Sequence, residues 1–154
     1  MTTPVRPEDL FHTGVVVDDL AGAKDELGDQ LGLTWFEGGG EVTLRSGDDV
    51  TTVSAAYAIS REGPHHVELC QSVEGTLWTA TPPGHAHHLG YWATDVAEVS
   101  AALSARGMPL VASIAAGVDA PPMCAYHQSA NGLYVEVVAA GMRRVLFPAR
   151  GSED

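Results

Sequence analysis

Two histidines and two glutamates stand at matching places in this sequence. The segment His12-Thr13-Gly14-Val15-Val16-Val17-Asp18-Asp19-Leu20 returns in the second half as His88-Leu89-Gly90-Tyr91-Trp92-Ala93-Thr94-Asp95-Val96. His66-Val67-Glu68-Leu69 is echoed by Tyr134-Val135-Glu136-Val137. Each half therefore supplies one imidazole and one carboxylate, the donor types that a divalent cation of the nickel, cobalt, zinc, manganese or iron kind accepts. A repeat that brings both types twice points to a four-ligand centre made of His12, Glu68, His88 and Glu136. Alternation along a strand puts His12 on one face with Gly14 and Val16, and His88 on one face with Gly90 and Trp92, so the parities of the two halves agree. Glu68 and Glu136 each fall among apolar neighbours inside a β-forming run. A lone carboxylate buried there would cost several kcal/mol, on the order of the usual desolvation penalty, unless a cation or a proton neutralised it.

Repeated elements position these groups. Leu10 to Val17 reads as a buried strand, Asp18-Asp19 as a helix cap, and Leu20 to Leu31 as a helix with Leu20, Ala23, Leu27 and Leu31 at helical spacing. Gly32 ends it. The Gly38-Gly39-Gly40 run reads as a break, a flexible turn or lid, before strands over Glu41 to Arg45, Val50 to Ile59 and His65 to Val73. The second half repeats the order: a strand over Ala86 to Ala93, a helix over Val96 to Arg106 closed by Gly107, then strands over Pro109 to Ala115, Met123 to Gln128 and Gly132 to Ala139. The expected architecture is α+β, two tandem βαβββ modules over residues 8–73 and 85–140 of one 154-residue domain, with a linker at 74–84 and a tail at 141–154. One βαβββ unit covers a single face of its short sheet with its helix, so two units can enclose a common cleft.

Composition narrows the function classes. A content of 45% apolar and 18% charged residues suits a globular protein with a proper core. No apolar run is long enough to span a membrane, and a cytoplasmic address is the default expectation. The net charge of −12, with Lys24 as the only lysine, repels phosphate backbones and anionic lipid, so neither nucleic acid nor membrane is an expected partner. Cys70 and Cys124 lack a CxxC spacing and read as buried free thiols.

The order of elements, the histidine opening each half, the acids in His-Val-Glu-Leu and Tyr-Val-Glu-Val, and the Asp19-Leu20 and Asp95-Val96 helix starts resemble the glyoxalase / vicinal oxygen chelate superfamily, in its branch near methylmalonyl-CoA epimerase. The resemblance covers nearly the whole chain. It implies a cupped mixed sheet of the glyoxalase/bleomycin resistance/dioxygenase fold, metal ligation by His12, Glu68, His88 and Glu136, a homodimer, and a small-molecule substrate that chelates the ion through two oxygens. Where the epimerases often carry glutamine on the first module's last strand, this chain has Glu68, which brings it closer to the two-His, two-Glu glyoxalases.

The expected chemistry is isomerase, lyase or epimerase in kind: a chelated carbonyl acidifies the neighbouring C–H, and Glu136 or Glu68 removes and returns the proton. Two other readings compete. An extradiol-type Fe(II) dioxygenase needs only two histidines and one carboxylate, so Glu68 discriminates. A metal-free binding or resistance protein would instead work through its aromatics. Trp35, Trp92, Tyr126 and Met123 are the expected substrate contacts, with Phe36 and Trp78 as further apolar walls. His85, His87, Tyr91 and His127 are further candidates to contact the ligands or the substrate, although strand parity turns His87 to the face opposite His88; His66, two residues from Glu68 on the same face, is the main competitor for a ligand position.

Overall fold

The computed structural model describes residues 3–148. The first unit runs β1 (Leu10–Val17), α1 (Leu20–Leu31), β2 (Trp35–Ser46), β3 (Asp49–Ser60) and β4 (His66–Gln71); the second runs β5 (His88–Ala93), α2 (Val96–Ala105), β6 (Leu110–Ala115), β7 (Pro122–Gln128) and β8 (Tyr134–Ala139), followed by a short α3 (Arg143–Leu146). Both long helices start on an aspartate, as expected. Asp19 accepts a hydrogen bond from the Gly22 amide and Asp95 one from the Glu98 amide, each at 3.0 Å, which satisfies a first-turn N–H that has no partner within the helix. Gly32 and Gly107 follow the two helices in the left-handed region, at φ 70° and 88°, where a side chain would be strained.

Eight strands form one mixed sheet that closes on itself in the order β1-β4-β3-β2-β6-β7-β8-β5. Each unit contributes four consecutive positions of the ring. Within a unit the first and last strands pair in parallel, β1 with β4 and β5 with β8, while the two units join through antiparallel pairs, β1 with β5 and β2 with β6. The βαβββ order thus places the histidine-bearing strand of each half next to the glutamate-bearing strand of the same half and the histidine strand of the other.

Phe11, Val16, Leu44, Ile59, Ile114, Tyr126 and Val138 belong to the main core, and a second cluster of Val96, Leu103, Ala125 and Val137 seats α2 on the outside of the sheet. Burying a side chain such as Leu103 contributes about 1.5–3 kcal/mol. A polar tie adds to it. His127 is fully buried on this outer side, its Nδ1–H donating to the Met108 carbonyl at 2.8 Å and its Nε2 accepting from the Ser100 hydroxyl at 2.7 Å. It therefore pins α2 to β7 and does not face the interior. By contrast α1 buries no residue fully, and Leu31 is 62% exposed.

The glycine run at 38–40 departs from expectation. It lies inside β2, paired residue for residue with Tyr57, Ala56 and Ala55 of β3. A Cβ on Gly38 would collide with the Tyr57 ring, and one on Gly39 with the Ala55 carbonyl. Gly38 and Gly39 are thus sites of close approach, and the run is part of a strand instead of a flexible turn or lid. The segment at 74–84 packs down: Trp78 is buried, and Thr81 bonds Val16 from both its amide (2.8 Å) and its hydroxyl (2.9 Å). The start of the C-terminal segment also docks. Leu146 is buried, Phe147 stacks on His66 at 4.0 Å, and the Arg143 guanidinium lies 5.0 Å over the Trp92 ring. The rest of the expected tail, 149–154, falls outside the described residues. No helix among those residues is long and apolar enough to cross a membrane.

Candidate metal centre

Strand register creates the site. Across the joint between the halves, His88 is opposite Gly14 and Gly90 is opposite His12; in the parallel pairs, Gly14 is opposite Glu68 and Gly90 is opposite Glu136. Each glycine therefore stands between the acid of its own half and the histidine of the other. The imidazole folds over the space that the missing side chain leaves: a Cβ on Gly14 would lie 2.0 Å from the nearest atom of the His88 ring, and one on Gly90 1.9 Å from the nearest atom of the His12 ring. Sequence reasoning passed over both glycines, although the repeated His-x-Gly carried the signal.

The result is a buried cluster. One donor atom from each of His12, Glu68, His88 and Glu136 lies within 4.8 Å of all the others. His12 Nε2 is 3.0 Å from His88 Nε2, 3.0 Å from Glu136 Oε2 and 3.2 Å from Glu68 Oε2; His88 Nε2 is 3.2 Å from Glu136 Oε2 and 3.9 Å from Glu68 Oε1. The thiols lie beside the acids. Cys70 donates to Glu68 Oε1 at 2.8 Å, and burial and the nearby Glu136 charge push the Cys124 thiol well up. Both cysteines are free and buried, as their spacing suggested.

The donor set fits a divalent ion on two grounds. Glu136 Oε2 is buried and close to both imidazoles, yet it has no hydrogen bond of acceptable alignment, which is rare for a buried polar atom. Moreover, donors about 2.1 Å from an ion are about 3.0 Å apart at right angles and about 3.4 Å apart in a tetrahedron, and the four shortest separations match the former better. The charges of two carboxylates would also be balanced by one such cation.

Electrostatics within the cluster oppose burial. Burial alone would depress the His12 imidazole, but the nearby charges of Glu68 and Glu136 outweigh it, and the net shift from 6.5 is upward. For Glu136 burial pushes upward, while the two imidazoles hold it well below the ordinary carboxylate range. In the metal-free protein His12 thus contributes stability that is fully present below 6.5 and is lost as pH rises through its raised value. Glu136 contributes stability that is present above 4.5 and is lost as pH falls through its lowered value. A cation must displace the His12 proton. Titration of metal-free protein with Co²⁺ across a pH series is expected to show affinity climbing about tenfold per pH unit while His12 is protonated, then levelling off. A flat profile over that range would contradict the assignment of His12.

A cavity of about 380 Å³ opens against the cluster, lined in part by Phe36, Tyr57, Trp78, Met123 and Tyr126 and roofed by Met142, Val145 and Leu146. The sequence profile of the glyoxalase/bleomycin resistance protein/dioxygenase superfamily matches residues 11–126. The chain belongs to this superfamily. Methylmalonyl-CoA epimerase from Mycobacterium tuberculosis shares the superfamily fold with it at a TM-score of 0.58 and 19% identity, over 90% of this chain and 91% of the epimerase. A hypothetical protein from Bacillus halodurans gives 0.57 and 16%, over 87% and 95% of the two chains. The 2,2',3-trihydroxybiphenyl 1,2-dioxygenase from Sphingomonas wittichii gives 0.50 and 22%, over 85% of this chain but only 42% of the dioxygenase. No curated protein matches the sequence. At these identities the likeness concerns the superfamily fold alone.

The expected substrate contacts divide. Met123 and Tyr126 line the cavity, as do Phe36 and Trp78. Trp35 and Trp92 do not. Trp35 alternates away from its neighbour Phe36 and donates its indole N–H to the Lys24 carbonyl of α1 at 3.1 Å, while Trp92 is closed between Phe11, stacked at 3.6 Å, and the Arg143 guanidinium. His66 is not a donor of the cluster either: its Nδ1 bonds the Ser60 carbonyl at 2.6 Å and its ring is covered by Phe147. His87, expected on the opposite face, precedes the first residue of β5 and is free of its alternation, and its Nδ1 meets Nδ1 of His88 at 2.9 Å. Tyr57, which sequence reasoning did not select, lines the cavity with its phenol pushed up to about 12 by burial and then by the charges of Glu68 and Glu136.

Proposed function

We propose that this protein is a divalent-metal-dependent isomerase, lyase or epimerase of glyoxalase type, in which His12, Glu68, His88 and Glu136 hold the ion and a proton is moved next to a carbonyl of a small, largely apolar substrate. The observation that carries this reading is the convergence of two imidazoles and two carboxylates in one buried cluster, of which His12, Glu68 and Glu136 also line an apolar cavity. When bound, the ion supplies Lewis-acid polarisation of the carbonyl, which makes the adjacent C–H acidic.

The protein's own groups divide the remaining work. Glu68 is the better base of the two acids. Glu136 lies against both imidazoles at 3.0 and 3.2 Å, whereas Glu68 approaches only His12 that closely and its Oε1 receives a thiol, a weak donor. Oε1 of Glu68 is thus the atom that takes the substrate proton and returns it. Tyr57 remains a neutral phenol at ordinary pH and can donate to oxygen on which negative charge develops. The aromatic and methionine walls exclude water.

The lining also restricts the substrate. Among the described residues, no lysine or arginine lines the cavity, so the phosphates of a CoA thioester would find no cationic partner inside it. A compact neutral molecule with adjacent oxygens, such as an aryl α-hydroxyketone, fits better. With Co²⁺- or Ni²⁺-loaded protein in D₂O, such a ketone is expected to exchange its α-hydrogen, followed by proton NMR. Glu68→Gln is expected to retain the metal while slowing exchange about 100-fold or more. Protein purified without chelator or histidine tag that holds no metal would overturn this reading. So would oxygen consumption with a catechol that persists in Glu68→Gln, because a dioxygenase needs no carboxylate there.

A further inference from the structure

The twofold symmetry of the site breaks one residue before each histidine. His87 precedes His88, and Phe11 occupies the equivalent place before His12. Two hydrogen bonds follow in series in the second half: His87 Nε2 is 2.9 Å from the Leu77 carbonyl oxygen, and His87 Nδ1 is 2.9 Å from His88 Nδ1.

Proton counting gives this chain a direction. A carbonyl can only accept, so Nε2 of His87 carries hydrogen. A neutral imidazole has a single N–H, which leaves Nδ1 of His87 bare and able only to accept. His88 must therefore place its hydrogen on Nδ1. In the neutral imidazole Nε2 then keeps its lone pair, and Nε2 is the atom that faces His12 and Glu136. The carbonyl at the far end sets the tautomer at the near end.

His87 is itself held on several sides. Its ring stacks on Tyr134 at 4.7 Å, its amide donates to the Gly14 carbonyl at 2.8 Å, and its carbonyl accepts from the Tyr134 amide at 3.2 Å. The first half has no such device. His12 Nδ1 is buried without a hydrogen-bond partner, and the ring meets the edge of Phe11 at 4.4 Å. With His88 Nε2 bare, His12 must supply the hydrogen between the two Nε2 atoms in the metal-free protein.

We infer that His87 is a positioning residue: anchored on the Leu77 carbonyl, it holds His88 as the Nδ1–H tautomer, so that one ligand of the metal centre is set before any ion arrives while His12 is left to adjust. The inference rests on the metal reading of the site for its purpose but not for its first test. In metal-free wild-type protein, long-range ¹H–¹⁵N correlation spectra of the imidazoles are expected to show His88 with its hydrogen on Nδ1. A hydrogen on Nε2 of His88 would overturn the inference without any variant.

Substitution supplies the second test. His87→Phe is expected to give mixed tautomers at His88 and to weaken Co²⁺ binding about 10- to 100-fold, the usual effect of losing the partner that orients a metal-bound histidine. His87→Gln keeps an acceptor for His88 and a donor for Leu77, and is expected to restore the single tautomer and most of the affinity. A folded His87→Phe protein with an unchanged His88 tautomer and unchanged Co²⁺ affinity would overturn the inference, as would a His87→Gln protein that folds yet matches the expected loss. Wild-type protein that takes up no Co²⁺ would instead remove the metal reading, an outcome separable from the tautomer result.

Discussion

Replacing His88 by alanine is expected to abolish stoichiometric binding of Co²⁺ or Ni²⁺ and to lower affinity by at least about 100-fold, more than the loss of an orienting partner alone. The reasons are cumulative. The variant loses one of four donors, and it loses the one whose lone pair is already directed at the cluster through His87. Elemental analysis after chelator-free purification and calorimetric titration both read the effect. A His88→Ala protein that carries as much metal as the wild type would show that the ion, if any, is held elsewhere.

Gly90→Ala should be nearly as damaging, although it adds a single methyl group. That carbon would lie 1.9 Å from the nearest atom of the His12 ring, and the colliding atoms belong to a fully buried imidazole. Either the ring swings away from His88 and the two glutamates, or strands β1 and β5 separate at the joint between the halves. Overpacking of this kind costs about 1–3 kcal/mol, and any displacement of the ring falls directly on the donor geometry. Gly14→Ala is expected to act in the same way through His88. Gly117, where an added Cβ meets nothing within 4 Å, is the control. Chemical denaturation should place Gly117→Ala at wild-type stability and both strand variants well below it, with Co²⁺ affinity falling in the same two. Normal stability and metal affinity in Gly90→Ala would mean that the close fit of ring to backbone is not what positions His12.

Features governed by short stretches of chain were legible without coordinates. Strand alternation, the aspartate caps, the glycine stops and the recurrence of His and Glu in both halves all follow from neighbours a few residues apart, and two copies of one pattern reinforced each other. That was sufficient for the βαβββ order, for the superfamily, and for the identity of the four residues that gather in the cluster. Where local signals misled, a distant partner was responsible. The glycines at 38–40 look like a flexible turn or lid until β3 is laid beside them, and Trp92 looks like a substrate contact until Phe11 and Arg143 close over it.

Other features arise only from pairing between strands far apart in sequence. The closure of the sheet, the placing of each glycine between an acid of one half and a histidine of the other, and the path from Leu77 through His87 to His88 depend on register and ring orientation. Neither is encoded in residue type. A sequence specifies which side chains can donate, accept or ligate; the direction in which each lone pair points is decided by the packed neighbours that leave a ring one orientation in which its polar atoms are satisfied.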